Sequence, residues 1–203
     1  MMPYVRALLP AAALATSMAL SGCATPVGPV EVTRFHLPDT AMLGRGTIQV
    51  QPAADEDGTS IEFRTYAAAV ARELVRVGYT ETMPGGPAGT QVAVVSVDRE
   101  TLVPERQRSP VSVGVGGSTG SYGSGVGLGV GINLSGPPPE QVETRMSVAI
   151  KDRVTGQNLW EGRASFTVRA DAPVAQTALG AAKMAQALFK DFPGRSGETI
   201  AVE

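Results

Sequence analysis

Residues 140–168, EQVETRMSVAIKDRVTGQNLWEGRASFTV, place two alternating apolar segments on either side of a polar turn. In the first segment Met146, Val148 and Ile150 recur at every second position. In the second, the alternate positions are Trp160, Gly162, Ala164, Phe166 and Val168. Successive side chains of a strand point to opposite faces, so this pattern predicts two strands with one buried face each. With residues 152–156 as the turn, we expect a β-hairpin that carries the only tryptophan in the core.

Two further segments have helical periodicity. For the first, Thr59 and Glu62 predict a capping box and Gly78 predicts the end of the helix. Its apolar stripe is Phe63, Tyr66, Ala67, Val70, Leu74 and Val77. The second helix is expected to open at Asp171 and Pro173 and to end at Pro193. Its predicted stripe is Val174, Ala178, Ala182, Ala185, Leu188, Phe189 and Phe192, and the residues after it are interpreted as a polar tail.

Three shorter segments, residues 30–35, 46–51 and 92–97, are predicted as strands. The last is apolar on both faces, which is typical of a strand in the middle of a sheet. Strands joined by hairpins, together with two amphipathic helices, indicate an α+β fold. We expect a mostly antiparallel sheet with both helices on one face and a glycine-rich hairpin insertion.

The insertion, residues 110–139, differs from its surroundings because glycine alternates with apolar residues within it. The alternating apolar positions are Val111, Val113, Val115, Val126, Leu128, Val130, Ile132 and Leu134. Tyr122 lies at the centre of the intervening turn, and three prolines, 137–139, close the segment. Glycine in strands permits close approach of another backbone or a flat ligand, and exposed edges invite strand addition. Residues 111–132 are therefore a candidate interaction surface; a mobile loop is the alternative.

The N-terminus resembles the signal peptide of a bacterial lipoprotein. One cation, Arg6, precedes an apolar run that is too short to span a bilayer and ends in Leu20-Ser21-Gly22-Cys23. This ending resembles the lipobox, which implies cleavage before Cys23, a diacylglycerol on its sulfur and an acyl chain on its amine. We expect a signal peptide at 1–22, a lipidated tether at 23–29 and one α+β domain at 30–203. By resemblance to the sorting of enterobacterial lipoproteins, Ala24 rather than aspartate after the cysteine implies the outer membrane, with the domain facing the periplasm.

The composition excludes several classes of function. The formal net charge is −2, no basic stripe is present, and nothing indicates nucleic-acid binding. Cys23 is the only cysteine, so no disulfide forms within the chain, and one histidine excludes a histidine-rich metal site. We expect no cofactor beyond the covalent lipid.

Four features of the sequence are candidate catalytic or metal-binding sites. Residues 116–120 spell Gly-x-Ser-x-Gly, but that motif needs a following helix and a later histidine base, and His36 comes earlier. His36 itself has no identifiable partner. The acidic turn 55–58 lacks the spacing of a calcium loop. Carboxylates such as Asp98, Glu100 and Asp152 are the remaining enzymatic candidates, and sequence alone does not pair them.

The order of several short motifs resembles bacterial lipoproteins that carry the uncharacterised domain of unknown function numbered 4136. The motifs are the lipobox at Cys23, Val77-Gly78-Tyr79, the glycine-rich segment, Asp152, Thr155-Gly156, Leu159-Trp160-Glu161-Gly162 and residues 188–193, LFKDFP. The resemblance covers nearly all of the mature chain. It implies an α+β envelope domain and no assigned reaction.

These observations leave three functional hypotheses. The first is a non-enzymatic envelope lipoprotein that binds an envelope protein through the glycine-rich hairpin. The second is an envelope enzyme that uses carboxylates alone. The third is a structural lipoprotein in which the hairpins of several copies stack on one another.

Overall fold

The computed structural model describes residues 27–83, 85–86, 88–103 and 138–203, together with the backbone of 111–120 and 123–132. The strands are β1 Val30–His36, β2 Thr47–Pro52, β3 Thr80–Glu81, β4 Gln91–Leu102, β5 Val111–Gly120, β6 Gly123–Ile132, β7 Gln141–Asp152, β8 Asn158–Arg169 and β9 Thr199–Val202. The helices are α1 Ile61–Arg76 and α2 Thr177–Leu188, and a 3₁₀ turn, Pro173–Ala175, precedes α2. The β7–β8 hairpin and the buried Trp160 confirm the prediction made from residues 140–168.

The main sheet is mixed, so the expected mostly antiparallel sheet was wrong. Its seven strands lie in the order β3-β2-β4-β7-β8-β1-β9. β2 runs parallel to both β3 and β4, whereas the pairs β4–β7, β7–β8, β8–β1 and β1–β9 are antiparallel. The parallel pairs arise because α1 follows β2 and returns the chain to the edge of the sheet at which β2 begins. β3 and β4 then run in the same direction as β2, as strands joined by a crossover connection do. The α+β composition stands.

Helix α1 begins one residue later than the capping box predicted. Its N-cap is Ser60, whose hydroxyl accepts a hydrogen bond from the Phe63 N–H at 3.0 Å. Thr59 instead donates its hydroxyl and its backbone N–H to the Asp57 carboxylate. Both residues are good caps by type, and the Asp57 side chain engages the first of them in the preceding turn.

Gly78 ends α1 in a Schellman motif. The Gly78 N–H donates to the Val75 carbonyl and the Tyr79 N–H to the Leu74 carbonyl. Gly78 has φ +112°, and a Cβ there would lie 2.4 Å from the Gly44 carbonyl oxygen. Gly44 has φ +69°, and a Cβ there would lie 2.7 Å from the Val77 carbonyl oxygen. The loop before β2 therefore crosses the end of the helix at a point where only glycine fits.

Helix α2 is shorter than predicted and buries a different stripe. It ends at Leu188, and its buried residues are Gly180, Ala181, Met184, Ala185, Ala187 and Leu188. Ala178 is exposed, and Ala182 is only half-buried. The α-helix begins at Thr177, after the 3₁₀ turn, rather than at Pro173. A different set of positions therefore faces the core. The predicted polar tail was also wrong, because residues 199–202 form β9 on the outer edge of β1.

The core lies between the sheet and the two helices. Trp160 stacks on Phe189 with ring centroids 5.3 Å apart, and Phe192 packs against both rings. A Cβ on Gly162 would lie 2.3 Å from the Trp160 ring, so this glycine makes room for the indole under α2. The indole N–H donates to the Pro193 carbonyl at 2.9 Å. The closing segment after α2 is therefore anchored by the tryptophan.

Two buried polar residues join distant segments. Gln91, 1% exposed, accepts from the Tyr79 hydroxyl and donates to the Met42 and Arg45 carbonyls. Arg34, 4% exposed, projects from β1 to the end of α2. Across the side chains that the structure describes, every buried polar atom has a partner, as a well-packed interior requires.

Candidate functional site

The glycine-rich hairpin forms a separate two-stranded antiparallel sheet of β5 and β6. Its register places apolar residues opposite one another: Val111 with Ile132, Val113 with Val130, and Val115 with Leu128. Glycine faces glycine at Gly114–Gly129 and Gly116–Gly127, and Val126 lies opposite Gly117. Tyr122 and Leu134 lie outside the described residues. The backbone thus brings seven of the eight predicted surface residues into one ladder.

The predicted anchor lies outside the described residues. Residues 1–26, with the signal segment and Cys23, are not described, so the lipobox stays a prediction. Within the part of the chain that is described, no helix has the length and apolar character needed to cross a membrane.

The Gly-x-Ser-x-Gly match does not occur in the context that catalysis needs. Residues 116–120 lie wholly within β5 and pair with residues 123–127 of β6. A nucleophile elbow is a sharp turn between a strand and a helix. This motif is instead part of an extended ladder.

His36 lies at the end of β1, half-exposed. Its Nδ1 is 2.7 Å from the Leu37 carbonyl and its Nε2 is 3.3 Å from the Gly194 carbonyl. A neutral imidazole can donate to only one of these two carbonyls, and neither is a group that a general base activates. This placement favours the structural interpretation of His36.

The acidic turn 55–58 satisfies backbone and hydroxyl donors. The Glu56 carboxylate accepts from the Val97 N–H at 2.9 Å, where β4 extends past the end of β2. Hydrogen bonds from the Thr59 hydroxyl and N–H hold the pKa of Asp57 below its ordinary value. Among the side chains described, no group of three histidine, cysteine or acidic residues is placed to hold a metal ion.

The carboxylates proposed for catalysis are not brought together. Asp98 is 3.5 Å from Arg145 on the open face of the sheet, and Glu100 lies opposite Glu143. Asp152 is in the β7–β8 turn, where the Thr155 N–H and hydroxyl and the Val154 N–H hold its pKa below the ordinary value. Asp98 and Asp152 are seven ladder positions apart, or about 23 Å.

A groove lies between α1 and the outer edge of β2. Its volume is about 820 Å³. The lining residues are Val50, Pro52, Gly58, Ile61, Phe63, Arg64, Thr65, Ala67, Ala68, Ala71, Arg72, Glu81, Thr82 and Ala178. Alanines form much of the helical wall, and Ile61 at one end is 82% exposed. We call this surface the α1–β2 groove.

Two arginines give the α1–β2 groove its charge. Arg64 and Arg72 are both exposed, and neither has a carboxylate within ion-pair distance among the described residues. Glu81 is the only acidic residue among the groove's lining residues. Neither arginine belongs to the apolar stripe predicted for α1, and the groove was not predicted from the sequence. The sequence signal for a groove was the alanine-rich run 67–69 and 71 beside them, because small side chains leave space along one side of the helix.

The architecture defines the class of protein: an α+β domain with two helices covering one face of a mixed sheet and a glycine-rich hairpin extending from it. Residues 33–194 match the family described as Domain of unknown function (DUF4136), and the chain belongs to this family. Membership of the domain family, expected from the resemblance, is thereby confirmed, and the lipoprotein part of that resemblance stays a prediction.

The similar proteins add no function. The chain is 30% identical to "Uncharacterized protein ZMO1243" of Zymomonas mobilis subsp. mobilis, over 86% of this chain and 80% of that protein. Among solved structures, a PDZ domain protein from Parabacteroides distasonis has a TM-score of 0.45 at 10% identity; 86% of this chain aligns with 39% of that one. A PelC dodecamer from Paraburkholderia phytofirmans has a TM-score of 0.44 at 14% identity, over 78% and 96% of the two chains. We draw no functional conclusion from these distant folds.

Proposed function

We propose that this chain is a non-enzymatic, lipid-anchored lipoprotein of the bacterial cell envelope, whose folded part is a binding or scaffold module. The apolar run that ends in Leu20-Ser21-Gly22-Cys23 supports the anchor. Two or more acyl chains on Cys23 would hold the protein firmly, because each buried methylene contributes about 0.8 kcal/mol. The alanine after Cys23 supports the outer membrane, with the domain facing the periplasm.

The register of the glycine-rich hairpin carries the binding part of the proposal. Aliphatic residues pair at three alternate positions, Val111–Ile132, Val113–Val130 and Val115–Leu128, and glycine pairs lie between and beside them at Gly114–Gly129 and Gly116–Gly127. A two-stranded sheet alone is marginally stable in water, so a hairpin of this length would gain stability by binding a partner. We therefore propose that residues 111–132 bind another envelope protein.

The carboxylates support the non-enzymatic part of the proposal. Asp98 and Asp152 each have a structural partner, and they are about 23 Å apart along the ladder. Hydrolysis by two carboxylates requires the pair to flank one bond at a separation of about 5–10 Å. The described side chains do not arrange these two acids in that way.

Membrane fractionation tests the anchor, and crosslinking in intact cells tests the binding surface. The full chain should stay in the membrane fraction, and Cys23→Ser should release it. The pair V113S/V130S, at opposed ladder positions, should reduce the captured partners at least about tenfold. Val154→Ser is the matched control, because this valine is 91% exposed in the β7–β8 turn, and it should change nothing. Equal capture by both serine variants would exclude the hairpin as the binding surface.

A further inference from the structure

The outer edge of β2 in the α1–β2 groove is only partly paired. β3 covers the edge at Thr47 and Ile48 alone, and the Thr82 N–H donates the last bond, to the Ile48 carbonyl at 2.8 Å. The chain then leaves the edge. Backbone groups of a strand alternate between its two neighbours, and the N–H of Ala53 bonds to β4. Val50 and Pro52 therefore point their backbone groups outward, beyond the end of β3.

We propose that the α1–β2 groove binds an extended, acidic segment of a partner protein, which adds as a strand to β2 in line with β3. This inference goes beyond the hairpin and does not depend on it. The Val50 N–H and carbonyl and the Pro52 carbonyl are the groups that the added strand would pair. Strand addition supplies main-chain hydrogen bonds, and the groove beside the edge selects side chains.

The charge of the groove determines which segment fits. Arg64 and Arg72 line it without ion-pair partners among the described residues, against one acid, Glu81. Glu81 belongs to β3 and lies at the end of the groove where α1 finishes. Arg64 is in the first turn of α1, the end of the helix that follows β2 in the chain. No acidic residue other than Glu81 lines the groove, so an incoming carboxylate is opposed less at Arg64 than at Arg72, and Arg64 should contribute more.

The spacing of the two arginines matches an extended chain. They are eight residues apart on α1, which is about 12 Å at 1.5 Å per residue. Positions four apart on one side of a strand are about 13 Å apart. Ala68 lies midway between the arginines and leaves room for the side chain in the middle. The occupant is thus expected to carry acidic residues four positions apart, with a small apolar residue between them.

Fluorescence anisotropy with a labelled peptide tests the proposal on the full chain in detergent. The probe is an eight-residue threonine–valine peptide with aspartate at its third and seventh positions. We expect saturable binding that Arg64→Glu weakens at least tenfold and Arg72→Glu weakens less. Arg45→Glu is the matched control, because Arg45 is exposed, has no ion pair among the described residues and does not line the groove; it should change binding less than twofold.

Three further measurements separate strand addition from other causes. A probe with alternate backbone amides methylated keeps its charge but loses half of its donors, and it should not bind. Replacing residues 103–140 with Asn-Gly should leave binding unchanged, so failure of the hairpin proposal is distinct from failure of this one. No binding, equal weakening by Arg45→Glu, or full binding of the methylated probe would each overturn the proposal. So would a sedimentation result in which the groove variants alter self-association instead.

Discussion

At the scale of the residue, Arg34 links the two ends of the chain. The Arg34 side chain starts on β1, and its Nε and Nη2 donate to the Leu188 and Ala187 carbonyls at 2.9 and 2.8 Å. These carbonyls belong to the last turn of α2, where the helix dipole favours a cation. Burial lowers the pKa of the guanidinium, and the charges of Asp191 and Glu198 oppose that shift. The arginine thus serves as a side-chain cap for α2 from another element.

Replacing Arg34 should therefore cost more than replacing an exposed arginine. Arg34→Met leaves two buried carbonyls without donors, and we expect a loss of about 3 kcal/mol of unfolding free energy. Arg34→Lys should lose less unfolding free energy than Arg34→Met but should not match the wild type, because an ammonium cannot make both bonds in the same planar geometry. Urea unfolding followed by the fluorescence of Trp160, the only tryptophan, measures the difference.

Arg163→Met is the control for Arg34. Arg163 is in β8, exposed, and pairs only with Glu161 on the open face. A surface ion pair of this kind contributes less than about 1 kcal/mol. If the two methionine variants unfold at the same urea concentration, the capping role of Arg34 is wrong.

The residue scale also shows what the sequence could not predict. Val30, Val32 and Arg34 alternate along β1, and the structure buries all three. Alternation carries no information about which carbonyls the guanidinium reaches, since they lie more than 150 residues away. The α1–β2 groove was missed for the same reason, because its other wall is a strand edge.

At the scale of the element, local signals predicted helices and hairpins well and their ends less well. Helix α1 and the β7–β8 hairpin follow from periods of 3.6 and 2, which depend only on neighbours in sequence. The N-cap of α1 was misplaced because Thr59 and Ser60 are equally suitable by type and Asp57 decides between them. Strand β9 was missed because four residues are too few for a period.

The end of α1 gives a prediction about element boundaries. Gly78→Ala has two costs: a left-handed φ of +112° and a Cβ 2.4 Å from the Gly44 carbonyl oxygen. Gly156→Ala is the matched control, because its φ is +72° and nothing lies within 4 Å of its Cβ. The control should lose about 1–2 kcal/mol for strain alone.

We expect Gly78→Ala to lose at least twice as much unfolding free energy as this control. The backbone of the Gly44 loop must move to relieve the contact, and it carries the start of β2 with it. Chemical denaturation of both variants under the same conditions provides the comparison. Equal losses would mean that conformational strain explains Gly78 and that the crossing with Gly44 contributes nothing.

At the scale of the whole molecule, strand order was the part of the fold that could not be predicted from the sequence. The alternating pattern of β2 shows which residues face the core, but it is the same for a parallel and an antiparallel neighbour. The crossover through α1 makes β2 parallel to β4, and β9 adds to β1 from the far end of the chain. Pairing over such distances depends on the assembled core.

The glycine-rich hairpin should be removable without loss of the fold. Leu102 of β4 and Gln141 of β7 are opposite each other at the last position of their ladder. A two-residue Asn-Gly turn can join residues placed in this way. Replacing 103–140 with Asn-Gly should therefore change the unfolding free energy by less than about 1 kcal/mol, apart from a gain from the shorter loop.

The informative comparison is with a much smaller deletion at the C-terminus. Removing residues 199–203 strips β9 from β1 and exposes the edge beside Val30 and Val32. The buried Val202 is lost with it, and burial of one such side chain contributes about 1.5–3 kcal/mol. We expect the loss of five residues to lower the unfolding midpoint in urea clearly, while the loss of the hairpin does not. The opposite ranking would mean that the hairpin is part of the cooperative core.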